Sequence, residues 1–99
     1  MRVTITAAAR ADLEEIGDFI AEDSPLRADS FGQELLDRCF GLVEHPLRYP
    51  IATKWLGREI RRCPHGRYLI FYSVAGDAIE INHIVHSARD YVRLLFPDT

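Results

Sequence analysis

The spacing of apolar residues along this chain changes from strand-like alternation to helical periodicity. Val3 and Ile5 are separated by polar residues, which predicts a short, half-buried strand near the amino terminus. From about Ala8 the apolar residues recur at helical spacing, in two segments that a polar turn separates. Ser24 is a favourable N-cap and Pro25 suits the first helical position, so a second helix is predicted to begin there. Two helices joined by so short a connection are expected to form an antiparallel hairpin.

The second half of the chain is predicted to form strands. The second helix is expected to end near His45-Pro46, because the residue before a proline disfavours helical conformation. Residues 47–57 show no clear period and are predicted to form a surface loop. Three runs rich in branched and aromatic residues then predict three strands joined by turns, at residues 60–63, 67–74 and 79–85.

The last of these strands contains an irregularity. Its alternating residues are expected to share one face of the sheet: Ile79, Ile81, His83 and Val85. Ile84 breaks this alternation. Either both faces of the sheet are covered there, or a bulge shifts the register.

Together these elements predict an α+β fold in which one sheet carries helices on one face. The expected elements are an amino-terminal strand at the sheet edge, a helix hairpin, a three-stranded antiparallel meander and a short C-terminal helix. A chain of 99 residues is too short for a second large core, so residues 1–99 are expected to form a single domain.

The composition is that of a folded, soluble protein. Apolar residues make up 47% of the chain and charged residues 27%, which argues against disorder. The chain lacks an apolar run of membrane-spanning length and a recognisable signal peptide, so a cytoplasmic location is expected. Cys39 and Cys63 lie in apolar surroundings and are expected to be buried free thiols.

The net charge of −3 conceals an uneven distribution of charged residues. Ten acidic side chains lie from Asp12 to Glu44. From Lys54 to Arg67 only Glu59 opposes five basic residues: Lys54, Arg58, Arg61, Arg62 and Arg67. This polarity indicates either a face that attracts anions or a solvated basic strand edge that discourages aggregation.

Two adjacent arginines are candidates for a functional surface. Arg61 and Arg62 follow one another on a predicted strand, so their side chains are expected to point to opposite faces. One guanidinium is then expected on the face that helices do not cover, where it could bind a phosphate or a carboxylate. The alternative is a surface arginine in a weak cross-strand ion pair.

A second group of candidates follows the last strand. His86 could act as a general acid or base, and Arg89 could stabilise a developing negative charge. The alternative roles are structural: Asp90 caps a helix that begins near Tyr91, and Arg89 pairs with a helix carboxylate such as Glu15. The cysteines and histidines lack the spacing of zinc motifs, and the sequence has no phosphate-binding loop or nucleophile motif, so neither a metal nor a cofactor is expected.

Several short segments, taken in order, resemble the ParE/RelE superfamily of small bacterial toxins. The resemblance spans nearly the whole chain and rests on residues 11–16, 19–25, 45–46, 61–62, 67–72 and 86–90. It implies a helix hairpin against an antiparallel sheet. RelE-like members cut messenger RNA on the ribosome with lysines and arginines on the sheet face and a C-terminal tyrosine, whereas ParE-like members inhibit DNA gyrase. This chain has one lysine, Lys54, and a negative net charge, so it resembles the ParE branch more closely.

The resemblance implies the toxin of a type II toxin–antitoxin pair, which inhibits DNA gyrase and is neutralised by a ParD-like antitoxin. The alternatives are a RelE-like, ribosome-dependent messenger RNA endonuclease, which would be an enzyme, and a non-toxic module that only binds antitoxin. Operator DNA would be reached only through the antitoxin. The expected functional surface comprises Arg61, Arg62, His86 and Arg89, with residues 94–96 as a further contact.

An amphipathic antitoxin segment is expected to cross the apolar groove between the helix hairpin and the sheet, where it could also add a strand at the sheet edge. Its candidate anchors are large apolar residues: Leu13, Phe31, Leu35 and Trp55. Arg58 and Arg67 are expected to meet acidic residues of the antitoxin. The alternative for the three anchors other than Trp55 is burial in the core.

Overall fold

The computed structural model describes residues 1–89 and 92–97. Its helices are α1 (Ala7–Ala21), α2 (Pro25–Gly41) and α3 (Val92–Leu95), and a short 3-10 turn, Leu42–Glu44, follows α2. Its strands are β1 (Arg2–Ile5), β2 (Ile51–Trp55), β3 (Arg58–His65), β4 (Tyr68–Ala75) and β5 (Ala78–His86). None of the helices in these residues has the length and apolar character needed to cross a bilayer.

Local side-chain contacts determine where the two long helices begin. Thr6 Oγ1 accepts a hydrogen bond from the Ala9 amide at 3.2 Å and caps α1. Ser24 Oγ accepts a hydrogen bond from the Arg27 amide at 3.1 Å, and Pro25 lies in the first turn of α2. The predicted boundary between the helices is therefore confirmed.

In the described part of the chain the strands form one five-stranded sheet, in the order β1-β5-β4-β3-β2. β1 runs parallel to β5 at one edge, and all other neighbouring strands are antiparallel. The helix hairpin packs on one face of this sheet through the main core. The α+β class, the edge position of the first strand and the short C-terminal helix are confirmed.

The meander has one strand more than predicted, because residues 51–55 form β2 rather than a loop. Trp55 pairs with Arg58, so Leu56 and Gly57 alone make the turn between β2 and β3. Both turn residues have positive φ, 51° for Leu56 and 75° for Gly57. Such turns usually carry Asn-Gly or Asp-Gly. A leucine rarely adopts a positive φ, so Leu56-Gly57 gives no sequence signal for a hairpin.

The irregularity in β5 is a bulge. Phe71 of β4 pairs with His83 but Tyr72 pairs with Ile81, so one residue of β5, Asn82, is extra. Ile84 consequently joins Ile79 and Ile81 in the main core, and Val85 packs on the opposite face. The expectation that Ile79, Ile81, His83 and Val85 share one face is therefore wrong.

Apolar residues also cover the sheet face opposite α1 and α2, which we call the far face. Phe96, which follows α3, packs there against Ile60 and Phe71 and is only 3% exposed. Its ring lies 5.5 Å from the ring of Trp55 and 5.6 Å from that of Phe71, in edge-on arrangements. The end of the chain thereby forms a second, smaller core on the far face.

Cys39 and Cys63 are both buried free thiols in the main core, as predicted. Burial raises the pKa of Cys39 from an ordinary value of 9.0 to about 12, and the neighbouring Cys63 contributes to the same shift. A folded-state pKa above the unfolded one stabilises the fold below pH 9.0, and this contribution is lost as the pH rises toward about 12.

The free energy of unfolding is therefore expected to fall more steeply above pH 9.0 in the native chain than in a Cys39→Ala variant. The expected difference in slope is about 1.4 kcal/mol per pH unit, because one proton is released on unfolding. Urea denaturation at several alkaline pH values measures both slopes. Parallel slopes for the two proteins would contradict a protonated Cys39 in the folded state.

Candidate functional site

A cleft of about 350 Å³ lies between α1 and the end of the sheet, and we call it the α1 cleft. Its lining combines apolar, acidic and basic side chains: Asp12, Glu15, Ile16, Phe19, Tyr68, Ile84, Val85, His86, Ala88 and Arg89. The cleft arises because β1 covers only the first half of β5, so the second half of β5 faces α1. Among the predicted site residues, this cleft brings together His86 and Arg89.

The imidazole of His86 is held by the turn that follows β5. Its Nδ1 accepts a hydrogen bond from the Ala88 amide at 3.0 Å, and its ring lies edge-on to Tyr68 at 5.2 Å. These contacts give His86 a structural role, while Arg89 beside it is exposed. Within the described residues no ion pair joins Arg89 to a helix carboxylate, although Arg89 and Glu15 both line the α1 cleft.

Asp12 connects α1 to β5 and lines the α1 cleft. One carboxylate oxygen accepts a hydrogen bond from the Ile84 amide at 2.9 Å and lies 2.9 Å from Nδ1 of His83. β1 pairs with β5 only as far as Ile81, so this carboxylate takes the place of a strand partner for Ile84. Sequence periodicity cannot reveal this role of Asp12, because its partners lie more than seventy residues away in the chain.

Arg61 does not belong to an exposed functional surface. Its guanidinium donates hydrogen bonds to the carbonyl oxygens of Leu47, at 3.2 Å, and Tyr49, at 2.7 Å, and its side chain is only 14% exposed. The hydroxyl of Tyr72, the residue paired with Arg61 on β4, donates to the Pro46 carbonyl at 2.8 Å. Burial raises the pKa of Tyr72 despite the nearby Arg61, which keeps the hydroxyl a donor. Arg61 thus anchors the segment before β2.

Arg62 points to the far face, as one of the two arginines was expected to do. It pairs across the strands with Phe71, a residue of the far-face core, and its side chain is exposed. Together with Arg93 it lines a cleft of about 550 Å³ between β2, β3 and α3, which we call the far-face cleft. The expected functional surface is therefore divided among three separate places.

Two other predicted basic residues differ in their surroundings. Arg58 forms an ion pair with Glu80 across the far face of the sheet. Arg67 is exposed in the turn between β3 and β4, where its carbonyl oxygen accepts a hydrogen bond from the Ser87 amide at 2.7 Å. Asp90, predicted as a helix cap, lies outside the described residues.

The four candidate anchors for an antitoxin do not share a surface. Leu35 has no exposed surface and Phe31 is 8% exposed, so both belong to the main core and neither can be an exposed anchor. Leu13 is half-buried against the same core, whereas Trp55 packs on the far face.

The prominent apolar side chain of the α1 cleft is Phe19, which the sequence analysis did not select. Phe19 is 65% exposed at the rim of the cleft, beside the buried Ile16. A signal for it existed in the sequence, because Phe19 lies beside the apolar stripe of α1 rather than within it. Large aromatic side chains left exposed beside a cleft are typical of interaction surfaces.

Comparison with a solved structure identifies the fold. A chain from a chromosomal ParDE TA system of P. aeruginosa superposes with a TM-score of 0.70, covering 87% of this chain and 95% of that one. The two sequences are 20% identical, so this likeness concerns the fold. The helix hairpin and the sheet thus share the α+β fold of that chain.

Comparison of sequences identifies the family. The model of the ParE toxin of the type II toxin–antitoxin system parDE matches residues 3–91. The chain is 39% identical over 88 residues to Toxin RelE2 of Caulobacter vibrioides, covering 89% of this chain and 97% of that protein. This chain belongs to the ParE toxin family, so it is a toxin of a type II toxin–antitoxin system.

Proposed function

We propose that this toxin inhibits DNA gyrase in the cytoplasm and is neutralised by a ParD-like antitoxin. The observation that carries the proposal is the set of side chains on the far face. Phe96 covers Ile60 and Phe71 there, and the described residues lining the adjoining cleft include arginines but no histidine, lysine, tyrosine or carboxylate. Such a lining can bind an anion but offers no usual general acid or base for cleavage of RNA. His83 packs its ring against Phe96, but its Nδ1 lies 2.9 Å from a carboxylate oxygen of Asp12.

The charge of the chain supports the same choice of target. A ribosome-bound nuclease must approach dense phosphate, which favours a strongly basic protein. This chain carries a net charge of −3 and one lysine, Lys54. Two arginines of β3 already have partners within the chain. Arg58 forms an ion pair with Glu80, and Arg61 donates hydrogen bonds to carbonyl oxygens. Inhibition of gyrase by binding requires no such basic surface.

We place the antitoxin in the α1 cleft. Type II family membership implies an antitoxin partner. The cleft joins the exposed ring of Phe19 to the apolar side chains of Ile16 and Ile84, and Arg89 lies at its rim. An amphipathic antitoxin segment with an apolar face and an acidic residue fits this combination.

Purified toxin is expected to inhibit the supercoiling of plasmid DNA by gyrase. Its induction in bacteria is expected to block division and raise DNA-damage signalling while protein synthesis continues. Rapid arrest of translation with cleaved messenger RNA would instead establish the endonuclease alternative. Normal growth in several hosts, with antitoxin binding retained, would establish the non-toxic module.

The same assay tests the antitoxin site when the protein encoded beside this gene is added. That protein is expected to restore supercoiling in the presence of the native toxin but not of a Phe19→Asp variant, whose charge cannot enter an apolar interface. Phe40→Asp is the matched control, since Phe40 is an exposed helical phenylalanine outside the α1 cleft. Equal restoration with both variants would exclude the α1 cleft as the antitoxin site.

A further inference from the structure

We propose that the far-face cleft binds an acidic, partly apolar peptide segment of a partner protein. The cleft has a volume of about 550 Å³ and is lined by Ala52, Thr53, Arg62, Val92, Arg93, Leu94 and Phe96. It lies on the face opposite the α1 cleft, so the two sites can be occupied independently.

Among the described residues that line this cleft, all charged side chains are positive. Arg62 and Arg93 both line it and both are exposed, and the described lining contains no carboxylate to compensate them. The neighbouring arginines of β3 have partners, because Arg58 pairs with Glu80 and Arg61 binds carbonyl oxygens. Two guanidinium groups in one cleft repel each other, and a bound anion relieves this repulsion. A carboxylate can accept two parallel hydrogen bonds from a guanidinium.

The apolar part of the lining favours a peptide over a nucleic acid. Leu94 is 76% exposed at the rim, and Val92 is half-buried beside it, so apolar side chains of a peptide find contacts next to the arginines. Single-stranded nucleic acid binds on exposed aromatic rings, whereas Phe96 is almost completely buried in the cleft wall. The net charge of −3 also opposes a long polyanion.

Backbone hydrogen bonds hold the two segments that carry these arginines. The amide of Arg62 donates a hydrogen bond to the Pro50 carbonyl at 3.0 Å. The amide of Phe96 donates to the Val92 carbonyl at 2.9 Å, and the Phe96 ring attaches α3 to the sheet. Little ordering of the backbone is then required when a ligand binds, which favours affinity.

A labelled short peptide of alternating glutamate and leucine is the probe, and its fluorescence anisotropy is measured with the full-length toxin. Arg62→Ala and Arg93→Ala are each expected to weaken binding about tenfold, as the loss of a charge-assisted hydrogen bond does. Arg10→Ala is the matched control, because Arg10 is an exposed arginine of α1 outside the cleft. Circular dichroism verifies that each variant is folded.

Three results would overturn the proposal. The first is the absence of binding to the native toxin, and the second is equal binding by all three variants. The third is tighter binding of an oligothymidylate through the same two arginines, which would assign the cleft to nucleic acid. The peptide assay contains no gyrase, so a toxin without effect on supercoiling can still bind the peptide, and the failure of one proposal is distinguishable from that of the other.

Discussion

Replacement of Phe96 by alanine is expected to lower the free energy of unfolding by about 3–5 kcal/mol, the usual cost of removing a buried phenylalanine. Phe96 is the residue that fastens the C-terminal segment to the far face, where it packs against Ile60, Phe71 and Trp55. Trp55 is the single tryptophan of the chain, so its emission is expected to shift to longer wavelength when this neighbour is lost. Urea denaturation followed by circular dichroism and by tryptophan fluorescence measures both effects.

Leu94→Ala is the matched control for this experiment. Leu94 lies in α3, two residues before Phe96, but is 76% exposed, so its replacement is expected to change stability by less than about 0.5 kcal/mol. Similar, small effects of the two substitutions would show that the C-terminal segment is not docked on the far face in solution.

Replacement of Leu35 by alanine is expected to lower the free energy of unfolding by about 3 kcal/mol. Leu35 lies in the middle of α2 and has no exposed surface, so the substitution leaves a cavity between the helix hairpin and the sheet. Leu26→Ala, in the same helix, is expected to have almost no effect, because Leu26 is 84% exposed. Urea denaturation of both variants makes the comparison.

The Leu35 variant also separates a core role from a binding role. A core residue affects stability, and the folded fraction of the variant is expected to bind antitoxin as the native toxin does. Unchanged stability combined with lost antitoxin binding would contradict the core assignment and restore Leu35 as an anchor.

The features predictable from the sequence were those determined by nearby residues. Ser24 and Pro25 act within one turn of helix, and their capping contacts lie where the sequence predicts them. The alternation of Val3 and Ile5 likewise indicated a strand, because the side-chain period is a property of the strand itself. Tertiary packing changes neither of these two local structures.

The strand β2 shows which features cannot be predicted from neighbouring residues. Residues 47–57 show no clear period, which predicts a loop, and the turn after β2 carries Leu56 where an asparagine or aspartate normally stands. Pairing with β3 overrides the unfavourable positive φ of a leucine, and such tertiary effects leave no mark on a single sequence. The bulge at Asn82 is similar, since only pairing with β4 reveals which residue is extra.

The roles of individual polar side chains were the hardest to predict. Arg61 was a candidate for binding an external anion, yet carbonyl oxygens of the segment before β2 take that place. Asp12 was not a candidate, yet it connects α1 to β5. In both cases the residue type indicated the chemistry correctly, but the partner depended on a distant part of the chain.

The position of β1 has a consequence for how the chain is made. Arg2–Ile5 leave the ribosome long before Ala78–Ile81, the segment with which they pair. Pairing between such distant segments must wait until both have emerged, and Phe96 is added later still. The sheet therefore cannot close until Ala78–Ile81 have been synthesised, and the far-face core is completed only after Phe96 has been added.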